Sequence, residues 1–291
     1  MIQIKKRKTR DNIIGWASIG PLCLYYIVFG IVPLGIVIYY GFFEDSLFEG
    51  MKFVGLGNYA KIFTTAKYYR PFLNTLIFAA FTISFSIVFG LFFAKLMTVP
   101  IKGQAFYRTV YYIPVVISMA VVAQIVNVWL SYNYGTVNNI IANLGGNRIH
   151  WEESAFWMYF WIIVICIWKG LGASIILFIA GLLGISNDIY EAADIDGANA
   201  VNKFFKITLP QLRPMMVFVL ITSIIGAFNI FEPVQLISQG RPEGATNVLI
   251  YLIYNEAFQN GNFGMGSAIA VLLLIILMAL TALSMKFQNK D

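Results

Sequence analysis

The sequence has few charged residues for its length. Of its 291 residues, 12% are Asp, Glu, Lys or Arg, whereas 59% are hydrophobic. Charged residues make up about a quarter of an average soluble domain, so this chain lacks the polar surface that a water-soluble globule needs. The composition therefore excludes a soluble enzyme and a disordered chain, and it predicts a protein embedded in lipid.

Cysteine and histidine are also scarce, which removes the commonest metal and catalytic sites. The two cysteines lie in long apolar runs, where buried unpaired thiols are expected, and His150 is the single histidine. No Cys/His cluster has the spacing of a metal site. The sequence contains no Gly-Lys dipeptide and hence no Gly-x-x-x-x-Gly-Lys phosphate-binding loop. We predict no catalytic residue, no metal ligand and no cofactor bound by this chain.

Long uncharged runs divide the chain into membrane spans. A helix needs about 20 apolar residues to cross the hydrocarbon core, and the runs predict an all-α protein with six transmembrane helices. The first span contains Pro21, Gly30, Pro33 and Gly35 and is expected to be tilted or kinked. The polar, glycine-rich stretch 131–147 is predicted to be a loop. The predicted helices are 14–42, 72–96, 108–131, 155–183, 211–236 and 264–286.

The distribution of lysine and arginine predicts the orientation. With the N-terminus inside the cell, cytoplasmic segments hold 13 of the 20 Lys and Arg residues and external loops hold 6. Both termini are therefore predicted to be cytoplasmic, and the net charge of +6 reflects this bias rather than binding to nucleic acid. The predicted parts are a basic N-terminus (1–12), a transmembrane domain (13–286, core about 72–286), a cytoplasmic loop within it (184–213) and a tail (287–291).

The loop between predicted spans four and five has a regular pattern of its own. Residues 191–193 (Glu-Ala-Ala) favour a helix, and Gly197 permits a turn after it. Asn199 can cap a second short helix. Pro210 and Pro214 suit the first turns of the helix that becomes span five. The pattern predicts a compact helical elbow on the cytoplasmic side.

This elbow resembles the coupling motif of ATP-binding-cassette (ABC) importer permeases. That motif reads Glu-Ala-Ala, Asp-Gly-Ala, an aromatic residue and Ile-x-Leu-Pro-x-Leu-x-Pro, and every position is filled here. Stretches 53–59, 74–76, 108–118, 168–172 and 264–268 resemble the carbohydrate-uptake branch, of the maltose and glycerol-3-phosphate importer type. The coupling residues that the resemblance indicates are Glu191, Ala192, Ala193, Asp196, Gly197, Ala198, Phe204, Leu209 and Pro210.

The resemblance implies the type I ABC importer permease fold and a set of partners. A second, homologous permease would complete the pathway as a heterodimer, and two nucleotide-binding subunits would hold ATP and Mg beneath the elbows. An extracytoplasmic sugar-binding protein would deliver carbohydrate to a bacterial cytoplasmic (inner) membrane. Two alternatives stay open: a permease for amino acids, polyamines or phosphate, and a self-sufficient secondary carrier or membrane enzyme.

Charged, polar, aromatic and small residues of spans four and five are the candidates for a substrate pathway. A lysine at the membrane centre costs about 2.5–3.5 kcal/mol, so Lys169 should face a cavity or a partner. Glu232 can lie at a similar depth, where the two charges could form a structural pair or contact a sugar. For the other candidates, helix packing is the alternative to sugar contact. The candidates are Trp168, Lys169, Gly170, Ala173, Gly226, Ala227, Phe228, Asn229, Glu232 and Gln235.

Overall fold

A computed structural model describes residues 15–46, 50–99 and 102–288. The predicted basic N-terminus (1–12) and residues 289–291 of the predicted tail lie outside these ranges. The described residues divide into two structural units. One unit comprises residues 15–62 and 253–272, and the other comprises residues 63–252 and 273–288.

Helices dominate the described chain, and one short hairpin interrupts them. The hairpin pairs β1 (Phe43–Ser46) with β2 (Gly50–Phe53) in antiparallel register. The helices, in chain order, are α1 (Gly15–Tyr40), α2 (Gly57–Thr64), α3 (Ala66–Thr98), α4 (Gln104–Val116), α5 (Met119–Leu130), α6 (Thr136–Asn143), α7 (Ala155–Leu183), α8 (Asn187–Ile195), α9 (Ala200–Gln211), α10 (Arg213–Phe228), α11 (Leu249–Tyr254) and α12 (Phe263–Gln288).

The first unit joins the end of α1 to the hairpin and α2. A π-helical stretch, Ile27–Ile31, precedes Pro33 in α1, because the proline has no N–H for the regular helical ladder. The buried Asn58 of α2 donates hydrogen bonds from its side-chain amide to the carbonyls of Gly41 (3.1 Å) and Phe43 (2.7 Å). These bonds fix the hairpin relative to α1.

Gly264, at the start of α12, leaves room for the same hairpin. A Cβ at this position would lie 1.8 Å from the carbonyl oxygen of Phe43. We therefore expect Gly264→Ala to displace β1 and to lower the free energy of unfolding by about 1–3 kcal/mol, the usual cost of overpacking. Thermal unfolding of the purified permease in detergent measures the effect. Gly20→Ala is the matched control, since nothing lies within 4 Å of its Cβ, and equal melting temperatures for the two variants would contradict the close approach.

In the second unit, α3 and α7 cross through small residues. The hydroxyls of Ser86 and Ser174 are hydrogen-bonded at 2.9 Å, and a Cβ at Gly90 would lie 2.9 Å from the Ser174 side chain. Such close approach through small residues is typical of helix packing in membranes. The apolar core next to this crossing contains Ala94, Ile175, Phe178, Ile179 and Val219.

Two of the spans are bent. The axes of α4 and α5 meet at 89°, and those of α9 and α10 meet at 66°. Four helices, α1, α3, α7 and α12, are long and apolar enough to span a membrane, and the described residues hold up to six spans when each bent pair is counted as one. The predicted all-α architecture is therefore confirmed, and the four to six candidate spans agree with the six predicted.

Two predicted helix boundaries are wrong for reasons that lie in the backbone. The predicted span 108–131 breaks at Ile117 and Ser118, which adopt extended conformations. The predicted span 211–236 ends at Phe228, because Pro233 cannot donate to the carbonyl four residues earlier and its ring would clash there. Both breaks free backbone carbonyls inside the unit.

The prediction of a loop over 131–147 is also wrong, because this stretch contains α6. Val137 and Ile141 are four residues apart and pack on the apolar cluster of α5 and α7. The fully buried Asn138 exchanges two hydrogen bonds with Ile149: its amide donates to the carbonyl (3.0 Å), and its side-chain oxygen accepts from the N–H (2.9 Å). A polar residue that suggested a loop is thus a buried structural link.

Candidate functional site

A cavity of about 760 Å³ opens in the second unit between α3, α7 and α10. Pockets of roughly 300–1,000 Å³ are the usual size for small organic ligands. The wall combines apolar side chains with hydroxyls, one amide and two charged groups. Seven of the ten predicted pathway residues lie in this wall: Lys169, Gly170, Ala173, Gly226, Ala227, Asn229 and Glu232.

The other three predicted pathway residues do not line the cavity. Phe228 is buried in the core, and Trp168 is exposed on the surface of α7. Gln235 is half-buried in the π-helical stretch Val234–Ser238. The sequence analysis instead missed the hydroxyl residues of the wall, whose signal is a serine or threonine within an apolar helix. These residues are Thr82, Ser86, Ser174, Thr222 and Ser223.

Lys169 stands at the midpoint of α7, and its ammonium group is held by backbone carbonyls. The Nζ atom donates to the carbonyl oxygens of Pro114 (3.4 Å), Val115 (3.2 Å) and Ile117 (2.6 Å). These carbonyls belong to the last turn of α4 and to the break that follows it. The last four carbonyls of a helix have no partner within the helix, and a cation is favourable at this end of the helix dipole. Lys169 therefore stabilises the bend between α4 and α5.

Gly172 complements Lys169 one turn further along the same face of α7. A Cβ at Gly172 would lie 2.5 Å from the carbonyl oxygen of Tyr111 and 2.8 Å from Cγ2 of Val115. The glycine lets the backbone of α4 approach α7, and the lysine then reaches the carbonyls at the end of α4. The stretch 168–172 (Trp-Lys-Gly-Leu-Gly) thus has a structural role, because Gly172 and Lys169 let the bent span pack closely against α7.

Glu232 lies at the cavity wall with an exposed side chain. The suggested pairing of Glu232 with Lys169 does not occur, because the ammonium group bonds to the three carbonyls instead. Within the described ranges, Glu232 has no hydrogen bond or ion pair with another residue. Its carboxylate is available to the cavity.

The predicted elbow is built from α8 and α9. Ser186 caps α8 by accepting a hydrogen bond from the N–H of Asp188 (3.3 Å). Gly197 makes the turn with a φ of +73°, a left-handed conformation that favours glycine. Asn199 caps α9 by accepting from the N–H of Asn202 (2.8 Å). The predicted glycine turn and asparagine cap are confirmed.

Side-chain contacts hold the two elbow helices together. Lys203 forms a salt bridge with Asp194 at 2.6 Å, and the hydroxyls of Tyr190 and Thr208 are hydrogen-bonded at 2.9 Å. One contact is ionic and the other joins two hydroxyls, and both connect α8 to α9. The elbow is thus built to move as one body.

The elbow is also packed against the ends of the spans. The ammonium group of Lys95, near the end of α3, lies 4.4 Å from the centre of the Phe204 ring. Leu212, at the bend between α9 and α10, is buried, and a Cβ at Gly181 of α7 would lie 2.8 Å from it. A displacement of the elbow would therefore be transmitted to α3, α7 and α10 through these contacts.

The outer surface of the elbow exposes large apolar side chains. Ile195 is 88% exposed, Val201 63% and Phe205 60%. Apolar groups exposed outside the membrane spans often mark a protein interface. Among the predicted coupling residues, Ala193 is buried, and Ala198, Phe204 and Leu209 are half-buried. The exposed ones are Glu191, Ala192, Asp196, Gly197 and Pro210.

A bundle of membrane helices with a partly polar cavity and an exposed helical elbow is the arrangement expected of a transport subunit. The model of the family described as "Binding-protein-dependent transport system inner membrane component" matches residues 86–290. The chain belongs to this family and is a permease subunit of an ABC importer.

Individual proteins are similar over nearly the whole chain. The probable ABC transporter permease protein YesP of Bacillus subtilis is 33% identical over 98% of this chain and 94% of its own length. The trehalose/maltose transport system permease protein MalF of Thermococcus litoralis is 31% identical over 97% of this chain and 95% of its own. A chain of a bacterial alginate ABC transporter, solved with an alginate-bound periplasmic protein, shares the fold with a TM-score of 0.86 and 22% identity, over 98% of this chain and 96% of that chain.

Proposed function

We propose that this permease conducts a sugar or oligosaccharide across a bacterial cytoplasmic membrane, with both of its termini in the cytoplasm. A second, homologous permease completes the pathway, and an extracytoplasmic sugar-binding protein supplies the cargo. Two nucleotide-binding subunits, which hold ATP and Mg, bind the elbows and hydrolyse ATP. This chain has no catalytic role of its own.

The cavity is the observation that carries the choice of cargo. Its wall offers hydroxyl, amide and carboxylate groups among apolar side chains, which is the mixture that a ligand rich in hydroxyl groups can use. The name of the Thermococcus litoralis relative, a trehalose/maltose permease, supports the same class of cargo. The exposed carboxylate of Glu232 in the wall argues against phosphate as the cargo.

The elbow supports the proposed docking of an ATPase subunit. Ile195, Val201 and Phe205 give it an apolar outer surface, and the acids Glu191 and Asp196 are exposed next to them. An apolar centre with a polar rim is the usual composition of a protein interface. Binding there would bury side chains that water now surrounds.

Transport then follows as a two-state, rigid-body change. Closure of the nucleotide-binding subunits displaces the elbow, and the Lys95–Phe204 and Leu212–Gly181 contacts pass the displacement to α3, α7 and α10. These are the helices that form the cavity wall. ATP shifts the equilibrium only if it binds one of the two states more tightly.

Reconstitution of the complete importer tests the proposal. The neighbouring reading frames are first searched for a partner permease, ATPase subunits and a binding protein, and the binding protein is screened against a glycan panel. The permease is then co-expressed with these partners. We expect uptake of the bound glycan into proteoliposomes to require ATP and the ATPase subunits. Uptake by this chain alone, or a binding protein that ignores glycans and binds an amino acid, would contradict the proposal.

A further inference from the structure

Several hydrogen-bond donors of the cavity wall are already bonded within the protein. Thr82 donates to the carbonyl of Phe78 at 2.7 Å, and Thr222 donates to the carbonyl of Phe218 at 3.0 Å. The hydroxyls of Ser86 and Ser174 are bonded to each other. Among the hydroxyls of the wall, this leaves Ser223 without a hydrogen-bond partner in the described chain. The Ser86–Ser174 bond uses one of two protons, so three of the five hydroxyl protons of the wall are committed within the protein.

The two nitrogen-bearing side chains of the wall are also committed to the backbone. An ammonium group has three N–H donors, and Lys169 directs its donors at three carbonyls. These three bonds leave no donor of the ammonium group for cargo. Asn229 donates one of its two amide N–H groups to the carbonyl of Ile225 at 2.8 Å, so its oxygen and its second N–H remain available.

The side chain of Glu232, unlike that of Lys169, is not bonded to the backbone within the described ranges. Its carboxylate is exposed at the wall and has no partner among the described residues. An ionised carboxylate only accepts hydrogen bonds. Of the two charged groups in the wall, the one without a protein partner in the described ranges is therefore negative, and it acts only as a hydrogen-bond acceptor.

We infer that this wall selects neutral or amino-bearing glycans and rejects glycans that carry carboxylate, sulfate or phosphate groups, with Glu232 as the specificity-determining residue. The inference rests on the proposed carbohydrate function and narrows its substrate class. Glycan hydroxyls and ammonium groups bring donors for the Glu232 carboxylate. Anionic groups bring further acceptors and a like charge, which is an element of negative selection.

Charged thiol reagents measure this property without knowledge of the cargo. In the complete importer, Cys23→Ala, Cys166→Ala and Ala173→Cys leave one thiol in this chain, at the cavity wall. Its rate of modification is followed by mass spectrometry of this chain, with cationic trimethylammonium-ethyl and anionic sulfonato-ethyl methanethiosulfonate. Each rate is divided by the rate at which the same reagent modifies free 2-mercaptoethanol, which removes the difference in intrinsic reactivity between the two reagents.

We expect the cationic reagent to be favoured at least tenfold, equivalent to about 1.4 kcal/mol, and Glu232→Gln to remove most of that preference. Glu153→Gln is the matched control, because this exposed acid does not line the cavity, and it should leave the preference unchanged. Equal corrected rates for the two reagents, or a preference that survives Glu232→Gln, would overturn the inference.

Uptake measurements separate this inference from the proposed function. The probes are a neutral glycan bound by the binding protein and the same glycan oxidised to a uronic acid at one C6. Glu232→Gln should raise the ratio of acidic to neutral uptake about tenfold. Uptake of the neutral glycan with an unchanged ratio would leave the carbohydrate proposal standing and refute the selection by Glu232. A reagent preference that depends on Glu232, without uptake of any glycan, would support the charge assignment and refute the carbohydrate proposal.

Discussion

Replacing Lys169 with methionine is expected to reduce uptake at least a hundredfold, through the bend between α4 and α5 and not through lost contact with cargo. Methionine is unbranched and only slightly shorter than lysine, but it leaves three carbonyls without a donor. Each unsatisfied buried polar group costs about 1–3 kcal/mol. The bend should relax, and Met119, which lines the cavity at the start of α5, should shift with it.

Uptake by the reconstituted importer and thermal unfolding of the permease measure this effect. Lys169→Arg is the control, because a guanidinium group retains enough donors for the carbonyls, and it should recover a substantial part of both uptake and melting temperature. A methionine variant with normal uptake and normal stability would show that Lys169 does not hold the bend.

Replacing Gly197 with valine is expected to uncouple ATP hydrolysis from transport. Gly197 has a φ of +73°, a region in which a β-branched residue is a genuine outlier and a left-handed conformation costs about 1–2 kcal/mol. The strain falls on the turn that sets the angle between α8 and α9. The elbow should lose the shape that fits a nucleotide-binding subunit, while the distant spans keep their packing.

Membrane levels, uptake and ATPase activity together report this outcome. We expect normal amounts of Gly197→Val permease, uptake reduced more than tenfold, and ATP hydrolysis that no longer responds to the loaded binding protein. Gly197→Asn provides the control, since asparagine tolerates the left-handed region, and it should remain coupled. Full coupling in the valine variant would mean that coupling of ATP hydrolysis to transport does not depend on the shape of this turn.

The elbow could be predicted because its determinants are local. A glycine at the turn, an asparagine at the cap and prolines at helix starts act within a few residues of their own positions. Their spacing also forms the motif that indicated the family. The exposure of Ile195 and Val201 could not be predicted, since it depends on which helix faces pack against the spans.

The hydrogen-bond partners of Lys169 could not be predicted from the sequence. An intramembrane lysine is recognisable as costly, and it requires a polar partner. The partners are backbone carbonyls that become available at the break after α4, and the extended conformations of Ile117 and Ser118 leave no distinct pattern in the sequence. A side-chain carboxylate was the simpler expectation, but the helix end supplied the acceptors.

Cargo is proposed to pass through the cavity, and protection of a single thiol in the cavity wall tests this claim directly. In the importer with Ala173→Cys as its one thiol in this chain, cargo-loaded binding protein and ATP with vanadate should slow modification of residue 173 severalfold. Ala80→Cys, on an exposed part of α3 that does not line the cavity, should show no protection. Equal modification of residue 173 with and without cargo, in an importer that still transports, would contradict the account.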